Sequence, residues 1–132
     1  MIPKTAPITR ILVVEDVQET RDAIEALLNS SGYNVDQARN EEEAVERAAS
    51  THPNLILISL GGPADQVLDT ARSIRARAGF GNQIPIVIFS IHTIPEGSEQ
   101  EIGENIHVTR PDNFNQLREL LARVLQRSSS IQ

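Results

Sequence analysis

Side chains able to do chemistry stand at the carboxyl ends of short aliphatic runs: Glu15 and Asp16, Ser59, Ser90, and Arg110 followed by Pro111. Adjacent carboxylates at such an end most simply form a solvated terminus or a helix cap. A serine hydroxyl is a poor nucleophile without a neighbouring base, and no base stands close to Ser59 in sequence. Gly61, Gly62 and Pro63 force an irregular loop after Ser59. They lack both a following Lys-Ser or Lys-Thr pair and Gly-x-Gly-x-x-Gly spacing, so they read as a turn rather than a phosphate cradle. His52, His92 and His107 show no metal-ligand spacing.

These positions matter only if the fold brings them together. Residues 10–14, 55–59 and 84–89 hold continuous apolar runs of the kind buried on both faces in a parallel sheet, and 106–109 reads as a further strand. Residues 33–37 alternate and tolerate Asn34 and Asp36, which suits an edge strand. Helical spacing follows each run. It places Ile24, Leu27 and Leu28 on a helix over 18–31, and Ala44, Val45 and Ala48 on one capped by Asn40 and Glu43 and ended by His52 and Pro53. Val67, Ala71, Ile74 and Ala78 mark a third helix closing near Gly79, whose Arg72, Arg75 and Arg77 read as a solvated face; Phe114, Leu117, Leu121 and Val124 stripe a strong last one. Residues 93–103 offer Thr93 and Glu96 as a capping pair, but Gly97, Gly103 and few apolar residues predict only a short or mobile helix. Five strands alternating with five helices define a doubly wound α/β fold, with a leader at 1–9, one domain at 10–127 and a disordered tail at 128–132. In an open α/β sheet the strand carboxyl ends share one rim, where ligands bind.

Composition narrows the function. A net charge of -6 disfavours nucleic acid and anionic membrane surfaces, and the absence of cysteine excludes disulfides and thiolate metal sites. No run approaches a membrane span or a signal peptide, so a cytoplasmic location is expected. Aromatic residues at 3% leave no base-stacking platform.

The order and spacing of the rim residues resemble the receiver domain of two-component response regulators over residues 10–127. The resemblance implies a flavodoxin-like sheet of strand order 2-1-3-4-5. It implies that Glu15 and Asp16 match the acidic pair that helps to bind magnesium, and Ser90 the hydroxyl that contacts the phosphoryl group. Arg110 and Pro111 stand for the family's lysine and cis-proline, and His107 for its switching aromatic residue. The phosphoacceptor aspartate position is Ser59.

Two departures, Ser59 and Arg110, set the functional expectation. Loss of the carboxylate removes both the anionic nucleophile and one magnesium ligand, so metal binding is expected to weaken and no cofactor is assigned. A guanidinium is longer than an ammonium and forks onto carboxylates, so Arg110 is expected to reach Glu15 or Asp16. For His107 the simpler reading is a polar residue on an edge strand. The chain is therefore read as a non-enzymatic pseudo-receiver that binds a histidine kinase or another signalling protein through residues 94–127, with a homodimer as a further option. The alternative is a receiver that still uses magnesium and accepts phosphoryl on Ser59 or another residue. A flavodoxin-like cofactor binder is disfavoured because Glu15 and Asp16 occupy its phosphate loop.

Overall fold

The three aliphatic runs and residues 106–110 become strands whose side chains point alternately to the two faces of the sheet. The computed structural model describes residues 9–89 and 94–130. Strands β1 (Arg10–Val14), β3 (Leu55–Ile58), β4 (Ile86–Phe89) and β6 (Ile106–Arg110) run parallel and adjacent, and β2 (Asn34–Ala38) joins β1 at one edge. The sheet order is β2-β1-β3-β4-β6-β5, so the predicted order 2-1-3-4-5 holds with β6 as the fifth parallel strand.

Helices α1 (Gln18–Ser30) and α4 (Phe114–Ser130) cover one face. There Ile24, Leu28, Leu117, Leu121 and Val124 pack on Ile11, Val13, Leu55, Leu57 and Val87. Helices α2 (Glu41–Thr51) and α3 (Ala64–Ala78) cover the other, where Ala44, Ala48, Val67, Ala71 and Ile74 pack on Leu12, Val14, Ile56, Ile58 and Ile86. The unbroken aliphatic character of the strands follows from this, because each residue of β1 after Arg10 and each residue of β3 is buried on one face or the other. Local signals set the helix ends. Asn40 accepts a hydrogen bond from Glu43 N at 2.9 Å, His52 closes α2 in the left-handed region at φ 51°, and Gly79 closes α3 at φ 80°.

The fourth expected helix is not there. Residues Ser98–Glu101 instead form β5, antiparallel to β6, giving six strands and four helices among the described residues. Gly97 lies at φ +83° and donates from its N–H to Arg110 O at 2.6 Å, while Gln116 Nε2 donates to Gly97 O at 2.6 Å. A β-carbon on Gly97 would lie 2.8 Å from Asp112 Oδ2, so the hairpin needs glycine at this approach. Without an apolar stripe, the segment gains more by completing β6's ladder than by forming a helix.

Helix α4 runs to Ser130. Two further expectations change. No peptide bond is cis among the described residues, including the one before Pro111. Arg75 is not on a solvated face. Only 6% exposed, it donates to Ile84 O at 3.0 Å, to Asn105 O at 3.4 Å and to Glu104 O, tying α3 to the segments that lead into β4 and β6. Its neighbours Arg72 and Arg77 do meet solvent and pair with Glu104 and with Glu41 and Glu42. Residues 1–8 of the leader and 131–132 of the tail lie outside the described residues.

Candidate functional site at the strand ends

Ladder contacts continue one residue past the strands and build the rim. Glu15 N donates to Ala38 O at 3.0 Å, and Ser59 N donates to Val14 O at 2.8 Å. The register pairs Val14 with Ile58, Ile58 with Ile88, and Phe89 with Thr109. Ser59 therefore stands on the central strand, between the β1 end that carries Glu15 and Asp16 and the β6 end that carries Arg110. Ser90 lies outside the described residues.

The two carboxylates have different fates. Glu15 is 4% exposed, and its Oε2 accepts a hydrogen bond from Val17 N at 2.9 Å, so it caps the entry to α1, whose N-cap residue Val17 has no side-chain oxygen of its own. Asp16 is exposed. Arg21, buried beneath them, donates from Nη1 to Glu15 O at 2.8 Å and from Nε to Gln37 Oε1 at 3.2 Å, which locks the β1–α1 turn to β2. Arg21 was not singled out as a site residue. Its place three residues before Ile24 and seven before Leu28, on α1's apolar stripe, was the available signal.

Arg110 does not reach either carboxylate. Its Nη1 donates to Ile94 O at 3.3 Å, inside the β4–β6 connection, and no ion pair joins it to Glu15 or Asp16. The hairpin explains this, because the backbone before β5 offers a carbonyl nearer than the far side of the rim. The rim thus keeps two carboxylates, Glu15 with one oxygen engaged by a backbone N–H and Asp16 exposed, and carries a hydroxyl at the third position. Among the described residues no three histidine, cysteine, aspartate or glutamate side chains gather to hold a metal.

His107 is not on an edge. Strand β5 covers β6, leaving His107 5% exposed against Leu120 and Val124, with Nε2 3.3 Å from Asn105 Oδ1. Burial pushes its pKa below the ordinary value, with Glu101 and Glu99 opposing and Arg127 and Arg123 reinforcing that shift. The unfolded chain therefore binds a proton that the folded chain resists, so this contribution is complete above about pH 6.5 and is lost as the pH falls below it. Urea midpoints are expected to fall between pH 7.5 and pH 5.5, with a slope of at most about 1.4 kcal/mol per pH unit, and His107→Gln should flatten that dependence. An unchanged slope in His107→Gln would assign the pH effect elsewhere.

Five parallel strands edged by antiparallel β5 and covered by helices on both faces form a doubly wound α/β fold whose polar strand-end residues share one rim. Residues 11–122 match the response regulator receiver domain, and the chain belongs to that family, which serves two-component signalling. Among relatives, it is 31% identical to the two-component response regulator PhoP of Pseudomonas aeruginosa, over 91% of this chain and 53% of that protein. It is 30% identical to the alkaline phosphatase synthesis transcriptional regulatory protein SphR of Synechococcus elongatus, over 97% of this chain and 53% of that one. The chain spans about half the length of the curated relatives it matches. Solved structures share the fold. A CheY-like receiver domain protein from Methanospirillum hungatei has a TM-score of 0.70 at 18% identity, covering 94% of this chain and 98% of that one. The response regulator TrrA of Thermotoga maritima, in complex with Mg2+ and BeF, has a TM-score of 0.68 at 24% identity, covering 89% and 99%.

Proposed function

We propose that this receiver domain signals through protein–protein contact without being phosphorylated on an aspartate. The single observation that carries the reading is Ser59, a hydroxyl on the central strand's carboxyl end where the family's acceptor carboxylate belongs. A hydroxyl needs a base to attack a phosphohistidine, and Glu15, the buried carboxylate of the rim, is occupied by Val17 N–H. Magnesium has no required role in this reading, and neither has any other cofactor. The domain works in the cytoplasm and takes as partner a histidine kinase or another signalling protein, through β5, β6 and α4 within residues 94–127. The net charge of -6 disfavours nucleic acid as a direct partner.

Incubation with a phosphorylated histidine kinase and magnesium, followed by intact-mass spectrometry, is expected to leave the chain's mass unchanged. Amide resonances of Glu15, Asp16 and Ser59 should stay in place when magnesium and then beryllium fluoride are added. A phosphoryl mass on Ser59, or on any other residue, would instead establish a receiver that still accepts the group.

A further inference from the structure

The missing helix leaves a space. Helices α1, α2 and α3 each lie between successive parallel strands and cover the sheet, but no helix does so between β4 and β6 among the described residues. On that face a half-open cavity of about 940 Å³ remains. Ile88 and Val108 form its floor, Val67 and Leu68 of α3 one wall, and Ile102 after β5 another. Leu68, Ile102 and Val108 are only half-buried, so their apolar surface meets the cavity. The volume falls in the range of pockets that enclose small organic molecules.

Its polar end lies at the strand carboxyl ends, where Ser59, Thr109 and Arg110 line it. Arg110 is half-buried, and among the described residues its side chain makes one hydrogen bond, to Ile94 O, and has no carboxylate partner. A guanidinium carries five N–H donors, so most of its capacity is uncommitted. Arg75 shows the contrast within the same fold, since it engages three backbone carbonyls.

We propose that this cavity binds a small amphipathic monocarboxylate, with its hydrocarbon chain along Ile88, Val108 and Leu68 and its carboxylate on Arg110. A neutral apolar molecule would leave the guanidinium unmet, and a cation would be repelled by it. Glu96, exposed on the lining, disfavours a second anionic group. The proposal is independent of whether Ser59 accepts phosphoryl.

Hexanoate, octanoate, decanoate and neutral 1-octanol, each titrated into the full chain and followed by methyl and amide NMR, test it. Binding of the carboxylates should saturate at one molecule per chain, tighten roughly tenfold for each two added methylenes, and shift Ile88, Val108 and Leu68. Arg110→Gln should weaken octanoate by about tenfold or more and leave 1-octanol unchanged. Leu68→Glu, at a half-exposed position that tolerates a polar side chain in the fold, should block both. Shifts without saturation, shifts confined to other surfaces, or equal octanoate affinity in Arg110→Gln and the parent chain would overturn the proposal. So would an apolar helical peptide that shifts these residues while octanoate does not, which would make the cavity a protein groove.

Discussion

Arg75→Met is expected to lower the unfolding free energy by roughly 3 kcal/mol, because it removes the guanidinium from the part-buried carbonyls of Ile84, Glu104 and Asn105, of which Asn105 O keeps a second donor in Ile86 N. The guanidinium donates to Ile84 O, Glu104 O and Asn105 O, which belong to the segments leading into β4 and β6. Methionine matches much of the aliphatic stem and supplies no donor. Burial lowers the pKa of Arg75, so removing the charge relieves a desolvation cost and keeps the net loss below the sum of three separate hydrogen bonds. The melting temperature should drop by about 10 °C, with the urea m-value unchanged. Arg72→Met, one turn away, removes an exposed pair with Glu104 and should cost less than about 1 kcal/mol. Equal effects from the two substitutions would mean that Arg75's carbonyl contacts contribute little.

Ser59→Asp is expected to convert an indifferent rim into a cation-binding one. The substitution places a third carboxylate on the strand next to the β1 end that carries Glu15 and Asp16, and magnesium affinity measured by NMR titration should rise by about tenfold or more. Without metal the added charge should lower the melting temperature, and magnesium should raise it again by mass action, whereas the parent chain should respond little. With a carboxylate nucleophile present, a phosphorylated histidine kinase should then add a phosphoryl mass that it does not add to the parent. If Ser59→Asp remains indifferent to magnesium and donor, the acceptor residue is not what disables the pocket. The double variant Ser59→Asp, Arg110→Lys would then test whether the guanidinium at the β6 end is responsible.

The parallel sheet, its order and its helical cover were legible because they rest on one-dimensional patterns. Three continuous aliphatic runs leave no solvent face, and such strands are stable only between two layers of helix. The rim was legible for a related reason: a polar residue directly after a buried strand has only the strand's carboxyl end to occupy. Hence Glu15, Asp16, Ser59, Arg110 and Pro111 could be placed together although they are far apart in sequence.

What the sequence did not disclose depends on partners chosen across the fold. The weak apolar content of residues 93–103 told against a strong helix, but only β6's open edge could recruit Ser98–Glu101 as an antiparallel strand. That one pairing buried His107 and left a cavity in place of a helix, while the connection leading into it gave Arg110 a carbonyl nearer than Glu15 or Asp16. Arg75 and Arg77 are two residues apart on the same helix and identical in type, yet one is buried against carbonyls and the other forms exposed ion pairs. The sequence by itself therefore determined the five parallel strands, the four helices that cover them and which residues reach the rim, since burial of apolar surface follows periodicity. Only the tertiary structure decided what each polar group bonds to, since hydrogen bonds depend on which backbone lies within about 3 Å.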